Sequence, residues 1–223
     1  RCARCTEICP TGTLQLTDGR VDAAKRMFMG CIGCGQCMAV CPSEALEVRG
    51  RRFSPADVVP MPGAGLPSPD QFDALLLSRR SVRKFTAQEV DRAVVDRILD
   101  MSSTAPMGIP PTEVGVLVFH GRDRVRAFAA DAADAFKRVS AGLSPLMLTL
   151  MRPFIGKANA QVLREFVRPL FAVILSEWEA GRDRICYDAP LALLFHNVSS
   201  GDAADDHIAA TYAMLAAQSF GLG

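Results

Sequence analysis

Apolar residues recur at helical spacing along four stretches of the chain, and two shorter apolar runs are typical of buried strands. The helical stretches cover residues 69–78, 86–101, 122–140 and 202–220, and each is longer than an ordinary strand. The apolar run 114–118 predicts a buried strand, in which Val114, Val116 and Val118 alternate with Gly115 and Leu117, and the run 189–195 predicts a second strand. Strands separated by long helical stretches predict an α+β fold for this part of the chain.

Two capping boxes mark predicted helix starts. Ser68 stands before Pro69, and Gln71 follows at the third helical position. In a capping box the serine and glutamine side chains bond to each other's backbone N–H groups, while proline suits the first helical position, which lacks an N–H partner anyway. Thr86 and Glu89 have the same spacing, which predicts that the next helix opens at about residue 86.

A proline-rich segment separates the cysteine-rich start of the chain from these helices. Residues 53–68 contain prolines that favour an extended and semi-rigid chain, namely Pro55, Pro60, Pro62 and Pro67. We therefore predict a small domain over residues 1–52, a linker over residues 53–68 and a second domain over residues 69–223. A passive tether and a spacer that holds one domain near a fixed target explain the linker equally well.

Composition and charge exclude several classes of function. Hydrophobic residues make up 49% of the 223 residues, and the formal net charge is +1. This balance is ordinary for a globular protein and favours neither nucleic acid nor an anionic membrane as a partner. The longest apolar stretches, at 169–175 and 189–195, are too short to cross a bilayer. No signal peptide is visible, so we expect a cytoplasmic protein, although the chain begins with Arg1 rather than methionine.

Seven of the eight cysteines lie within the first 41 residues, and they form a repeat. Residues 31–42 have the C-x2-C-x2-C-x3-C-P pattern that binds iron–sulfur clusters in bacterial proteins. Residues 2–10 repeat this pattern 32 positions earlier, without its first cysteine. The repeat predicts that the counterpart of Cys31 lies two positions upstream of Arg1, and that two clusters of four thiolates are held.

The ligand sets follow from the motif, in which the fourth cysteine of each run binds the other cluster. The first cluster takes Cys9, Cys31, Cys34 and Cys37, and the second takes Cys2, Cys5, Cys41 and the upstream cysteine. Structural zinc is a weaker alternative because it favours separated pairs of ligands. A disulfide framework is weaker still, because nothing else in the sequence indicates secretion. Residues 1–50 resemble a bacterial ferredoxin with two 4Fe–4S clusters.

A basic segment follows the first predicted helix of the second domain. Arg79, Arg80, Ser81 and Arg83 supply three guanidinium groups and a hydroxyl within five residues. Guanidinium groups donate paired hydrogen bonds to phosphate oxygens, so the segment is a candidate phosphate site. Taken alone, the segment is more often a solvated helix end that the helix dipole stabilises.

The order of motifs in residues 70–223 resembles the nitroreductase family. In that family the segment equivalent to Arg79–Arg83 binds the phosphate and ribityl chain of FMN. The resemblance continues at Ala105–Pro111, which lacks the asparagine and glutamine usual in the family, so backbone groups of Met107–Ile109 take their place. It continues further at Asp188–Pro190 before an apolar strand.

The last helix of the family ends in Gly-Leu-Gly beside the flavin ring, as residues 205–223 do here. We expect the domain to continue past Gly223. The resemblance therefore implies a flavin site whose residues are Arg79, Arg80, Ser81, Arg83, Pro106, Met107, Gly108, Gly221, Leu222 and Gly223.

The two resemblances imply an FMN-dependent oxidoreductase that receives electrons through two 4Fe–4S clusters. Its acceptors are small molecules such as nitroaromatics, quinones or activated alkenes. Its electron donor is either a protein such as ferredoxin or the cofactor NAD(P)H. Family members are homodimers, so we expect a homodimer. The alternative is an electron-transfer module between protein partners, and a flavin-remodelling or dehalogenating enzyme is a third reading. No catalytic side chain is identified, and the three scattered histidines fit packing or surface roles.

Overall fold

The computed structural model describes residues 2–24, 29–49, 54–63, 65–108, 114–198 and 201–223. The chain divides into two compact units. Unit 1 comprises Arg1–Leu77, Thr104–Val114 and Asn197–Ala210, and unit 2 comprises Ser78–Ser103, Gly115–His196 and Thr211–Gly223. The predicted domain boundary at residues 52–53 and the last residues of the predicted flavin segment, 109–111, lie outside the described residues.

The described residues form helices and two small antiparallel sheets. The helices are α1 (Arg4–Ile8), α2 (Gln36–Ala39), α3 (Pro69–Ser78), α4 (Arg92–Ser102), α5 (Arg122–Gly142), α6 (Pro145–Ile155), α7 (Lys157–Val162), α8 (Arg168–Glu179) and α9 (Ala203–Ser219), with a 3-10 turn at Pro55–Asp57 and a π-helical turn at Leu163–Val167. Strand β1 (Leu14–Thr17) pairs with β2 (Arg20–Ala23), and β3 (Gly115–His120) pairs with β4 (Leu191–His196). This mixture confirms the predicted α+β class.

The cysteine repeat of unit 1 is also a repeat of backbone conformation. Helices α1 and α2 each follow a residue in the left-handed region, Ala3 at φ 59° and Gly35 at φ 74°. A second left-handed residue follows each proline, Gly12 at φ 62° and Glu44 at φ 49°. Both pairs are separated by 32 positions, as the cysteines are. Ala3 and Glu44 adopt a conformation that glycine adopts more easily, so the surrounding fold must impose it.

A hairpin joins the two halves of this repeat. Strands β1 and β2 are connected by Asp18 and Gly19, both at positive φ, 50° and 74°. Positive φ at both central residues is the turn whose twist matches antiparallel strands, and Asp-Gly is one of its preferred sequences. The hairpin was not predicted from sequence, although this dipeptide between two short apolar runs is the usual signal for it.

Unit 2 has its core where α4, β4 and α9 meet. Ile98, Ala213 and Ala216 are buried there, and Leu193 and Leu222 pack against them. Two alanines on α9 leave the space that the larger side chain of Ile98 fills. The apolar periodicity of residues 86–101 predicted a helix that faces the core, and the burial of Ile98 confirms it.

The two predicted capping boxes have different outcomes. The first is confirmed, since the Ser68 N–H donates to Gln71 Oε1 at 2.9 Å and the Gln71 N–H donates to Ser68 Oγ at 3.2 Å. The second is wrong, because residues 86–91 are not helical and α4 begins at Arg92. Its cap is Asp91, whose carboxylate accepts a bond from the Ala93 N–H at 2.9 Å, and aspartate is among the strongest capping residues.

Residues 145–179 form helices that the sequence pattern did not predict. Pro145 and Pro169 lie in the first turns of α6 and α8, where a missing N–H group costs no hydrogen bond. Pro153 lies inside α6 near its end. These prolines therefore begin or end helices here rather than mark loops. Among the described residues, no helix combines the length and the apolar character that a membrane crossing requires.

The burial of Ile98 predicts a large loss of stability when its side chain is shortened. Ile98 is 1% exposed, so Ile98→Ala leaves a cavity and lowers the free energy of unfolding by about 2–5 kcal/mol. Arg97→Ala, on the exposed side of the same helix, is the control and changes this free energy by less than about 0.5 kcal/mol. Denaturant unfolding followed by the fluorescence of Trp178, the single tryptophan, measures both. Equal losses in the two variants contradict the described core.

Candidate functional site

Four cysteines of unit 1 line one cavity. Cys9, Cys31, Cys34 and Cys37 surround a space of about 300 Å³, together with apolar side chains such as Ile32. Cys9 comes from the first half of the repeat and the other three from the second half. These are the four residues that the motif assigns to one cluster, and the cavity holds soft sulfur donors inside an apolar wall, which fits an iron–sulfur cluster.

The sulfur arrangement differs from that of a site for a single metal ion. Among the residues that the structure describes, no three His, Cys, Asp or Glu side chains converge on one ion position. A four-iron cluster binds each thiolate through a different iron atom, so its ligands surround a space instead of meeting at a point. All eight cysteines are free thiols. The cysteines assigned to the second cluster, Cys2, Cys5 and Cys41, lie outside the lining of this cavity.

The sulfur of Cys9 receives hydrogen bonds from the residues that follow its proline. The Thr13 N–H donates to Cys9 Sγ at 3.3 Å, and the Thr11 hydroxyl oxygen lies 3.6 Å from the same sulfur. Burial raises the pKa of Cys9, but these hydrogen bonds outweigh burial and bring the pKa down to about 7. A metal ligand must be deprotonated, so this environment favours the form of Cys9 that binds iron.

The sulfur of Cys41 has the same backbone donor at the equivalent position. The Ala45 N–H donates to Cys41 Sγ at 3.3 Å, and Ser43 Oγ lies 3.7 Å from it. The N–H groups of Ala45 and Ser43, with the Ser43 hydroxyl, lower the pKa of Cys41. At Cys37, burial raises the pKa, and the neighbouring sulfurs of the same cavity reinforce this effect. That repulsion between thiolates is the kind that a cationic iron core relieves.

The basic segment lies in unit 2 between α3 and α4, outside any helix or strand. Arg79, Arg80, Ser81 and Arg83 are exposed, so their donors can reach a ligand. Arg122, at the start of α5, anchors the chain three residues beyond this segment, because its Nη2 donates to the Thr86 carbonyl at 2.8 Å. The segment is therefore an irregular stretch that presents guanidinium groups from an anchored position.

A strained loop lies beside the basic segment. Asp183 is 6% exposed, and its carboxylate accepts bonds from the N–H groups of Ile185, Cys186 and Asp188 at 2.7, 2.9 and 3.0 Å. Between these bonds, Tyr187 and Asp188 adopt φ 56° and 51°. Consecutive left-handed residues other than glycine are uncommon, and the three bonds to Asp183 hold the strained backbone in place. Burial, with the charge of Asp183, raises the pKa of Cys186 to about 11, which fits a structural thiol.

The ring of Tyr187 contacts one arginine of the basic segment. The guanidinium carbon of Arg83 lies 5.9 Å from the centre of the ring, within the range of a cation–π interaction. Tyr187 was not predicted as a site residue. The sequence around Tyr187 gives no signal for this contact, because the contact depends on a left-handed backbone that a tyrosine seldom adopts.

The predicted Gly-Leu-Gly residues end α9 and meet the basic segment. Gly221 adopts φ 73°, and the Leu222 N–H returns to the Ala217 carbonyl at 3.0 Å, which is the usual way in which glycine ends a helix. Gly223 then lies so close to Val82 that an added Cβ would overlap its side chain. The structure thus brings together two of the predicted flavin segments, Arg79–Arg83 and Gly221–Gly223.

The third predicted flavin segment, Pro106–Gly108, belongs to unit 1. Pro106 and Met107 are exposed, and the Gly108 N–H donates to Asp205 Oδ1 at 2.8 Å. Asp205 is 2% exposed and was not predicted as a site residue. Asp202 caps α9, since its Oδ1 accepts the N–H two residues later at 2.9 Å. The buried carboxylate of Asp205 therefore positions the backbone of Gly108.

The histidines bond to backbone carbonyls or pack against backbone. His120 Nε2 lies 2.7 Å from the Val90 carbonyl, and His207 Nδ1 lies 2.7 Å from the Ala203 carbonyl. The ring of His196 occupies the space beside Gly115, where a Cβ would overlap it. These contacts agree with the packing and surface roles expected from the sequence.

Comparison with protein families assigns both parts of the chain. Residues 76–223 match the nitroreductase family, and residues 1–46 match the 4Fe-4S dicluster domain. Comparison with the curated proteins and with the solved structures gave no significant match. The first match covers more than half of the 223 residues and includes the basic segment, and the second includes all seven N-terminal cysteines. The chain therefore belongs to the nitroreductase family and carries a 4Fe–4S dicluster domain at its N-terminal end, which makes it an iron–sulfur oxidoreductase.

Proposed function

We propose that the protein is an FMN-dependent oxidoreductase that receives electrons through two 4Fe–4S clusters and reduces a small acceptor. Nitroaromatics, quinones and activated alkenes are the acceptor classes. The observation that carries this proposal is the cavity lined by Cys9, Cys31, Cys34 and Cys37, in a chain whose larger part belongs to the nitroreductase family. A cluster domain fused to a reductase domain provides an internal source of single electrons.

The basic segment is the proposed anchor of FMN. Arg79, Arg80 and Arg83 are exposed donors that can bind a phosphate group through charge-assisted hydrogen bonds, and Ser81 adds a hydroxyl. Gly223 reaches the same segment through Val82, so the C-terminal backbone is available to the flavin ring. Pro106, Met107 and Gly108 are the other proposed ring contacts. FMN, when bound, supplies the hydride chemistry that no side chain of the protein can provide.

The N-terminal cysteines are the proposed cluster ligands. Four of them bind one cluster at the described cavity. The second cluster is bound by Cys2, Cys5, Cys41 and the predicted upstream cysteine. The clusters supply one-electron transfer when bound. Reduced ferredoxin or NAD(P)H is the proposed electron donor, and solvent is the proposed source of protons. Because clusters of this kind are destroyed by oxygen, we propose a cytoplasm with little oxygen as the location.

A second copy of the chain is the proposed partner. Exposed apolar side chains crowd α6, the π-helical turn and α8, including Leu146, Leu150, Phe154, Phe166 and Val173 at 71, 61, 90, 63 and 58% exposure. A monomer rarely exposes so many large apolar groups along one stretch of chain. Burial of this apolar surface against a second copy removes it from water and stabilises a homodimer.

Cofactor content is the first test of the proposal. Anaerobically prepared protein that includes the predicted upstream cysteine should contain about eight irons and one FMN per chain. Cys34→Ala should hold about four irons, because it removes one ligand of one cluster, whereas Cys186→Ala should keep all eight. Iron, sulfide and flavin analysis measures these values. Iron without flavin rejects the FMN site, and flavin without iron rejects the cluster ligands.

Turnover separates the proposed enzyme from an electron-transfer module. Reduced ferredoxin or NAD(P)H is supplied with a panel of nitroaromatics, quinones and activated alkenes, and product is measured for each. Turnover of a small acceptor supports the enzyme. Electron transfer to protein partners alone, with no small acceptor reduced, supports the alternative.

The proposed phosphate anchor predicts a specific loss of FMN affinity. Arg83→Gln removes one charge-assisted donor and should raise the Kd for FMN by about 10- to 100-fold. Arg97→Gln removes an exposed arginine of α4 and should leave the Kd unchanged. Quenching of FMN fluorescence in a titration measures both values. An unchanged Kd in Arg83→Gln removes this residue from the proposed site.

The proposed homodimer predicts that a charge on the apolar stretch weakens association. Phe154→Glu should raise the dimer dissociation constant by at least about 10-fold, because it forces a carboxylate into the interface. Val59→Glu is the matched control, since Val59 is 82% exposed and lies in the linker. Sedimentation equilibrium measures both constants. A monomeric wild-type protein, or equal effects of the two variants, overturns this interface.

A further inference from the structure

Two threonine hydroxyls form a relay that ends on Cys9. Thr11 Oγ1 lies 3.6 Å from Cys9 Sγ, and Thr13 Oγ1 lies 2.6 Å from Thr11 Oγ1. The backbone N–H of Thr13 lies 3.3 Å from the same sulfur. Thr11 is 4% exposed, so bulk water does not compete for its hydroxyl. Cys9 and both threonines also line the cysteine cavity.

Iron binding fixes the direction of this relay. A thiolate bound to iron carries no hydrogen, so Cys9 Sγ can only accept. The Thr11 hydroxyl must then donate to the sulfur, and its oxygen is left to accept from the Thr13 hydroxyl. Hydrogen bonds in such a chain polarise one another, so Thr13 strengthens the bond that Thr11 makes to the sulfur.

The other half of the repeat lacks the relay. Ser43 occupies the position of Thr11, and its Oγ lies 3.7 Å from Cys41 Sγ. Ala45 occupies the position of Thr13 and gives the same backbone bond at 3.3 Å, but it has no hydroxyl. Ser43 is also exposed, so water competes for its hydroxyl. The two sulfurs therefore have equal backbone donors and unequal side-chain donors.

We propose that the Thr11–Thr13 relay raises the reduction potential of the cluster that Cys9 holds and thereby makes this cluster the favoured position for an electron. One-electron reduction adds negative charge that spreads over the cluster and its sulfur ligands, and hydrogen bonds to sulfur stabilise that charge. At equilibrium, an electron shared between the two clusters would therefore reside on the cluster that Cys9 would hold, rather than on the cluster that Cys2, Cys5 and Cys41 would hold. This inference rests on the proposed function, in which these cysteines are ligands.

The test is an anaerobic redox titration followed by electron paramagnetic resonance of the fully loaded protein. Thr13→Ala copies the opposite half of the repeat and keeps the backbone N–H. It should lower the midpoint potential of one cluster and leave the other unchanged, and Thr11→Val should lower the same potential further. Thr13→Ser, which keeps the hydroxyl, should retain the wild-type value. Ser43→Ala is the matched control, and it should move only the other cluster.

The outcomes separate the relay from the cluster sites themselves. Full iron content with wild-type potentials in both Thr13→Ala and Thr11→Val overturns the relay and leaves the cluster assignment intact. A shift of the same size in Thr13→Ser also overturns it, since packing rather than the hydroxyl is then responsible. Wild-type protein without iron rejects the proposed function instead. If Thr13→Ala binds less iron, Thr13→Val removes the hydroxyl with little change of volume and supplies the same comparison.

Discussion

The proposed ligation of a cluster by both halves of the cysteine repeat is the constraint on which the N-terminal part of unit 1 depends. Cys9 lies in the first half, while its partners at the cavity, Cys31, Cys34 and Cys37, lie in the second. The halves must therefore fold against each other for either to complete a site, and α1 packs against α2 as this requires. The short cysteine-rich segment at the start of the chain has little apolar core of its own. Bound clusters that cross-link it are thus the proposed source of much of its stability.

Anchored irregular segments carry the candidate flavin site of unit 2 and the Gly108 backbone of unit 1. In each case a buried or fixed side chain bonds to the backbone of the segment. Asp183 holds the Tyr187 loop, Arg122 holds the chain just after the basic segment, and Asp205 holds Gly108. Arg122 on α5 and Asp205 on α9 are placed by helices, and Asp183 lies in a loop between α8 and β4. Such loops satisfy their backbone groups without regular structure, as a binding loop must.

Local sequence signals predicted the parts of the fold that depend on local contacts. The Ser68 capping box, each of the two cysteine runs and the apolar face of α4 depend on residues that are close together in the sequence. The predictions that failed did so because contacts between residues far apart in the sequence decide the structure there. Thr86 and Glu89 have the spacing of a capping box, but Arg122, from another element, holds the chain in a non-helical path at Thr86. Tyr187 was missed because its role depends on a backbone conformation that Asp183 imposes.

The exposure of the basic segment limits how tightly the proposed site binds FMN in a single chain. In a single chain Arg79, Arg80 and Arg83 face water, where high dielectric and salt weaken the attraction between guanidinium and phosphate. Exclusion of water strengthens each of those bonds without any new contact. The apolar stretch around Phe154 favours association of two copies by the same physical effect, the removal of surface from water. The proposed homodimer and the proposed flavin affinity are therefore linked if the second copy covers the segment. In that case the affinity for FMN should decrease once the protein is diluted below the dimer dissociation constant.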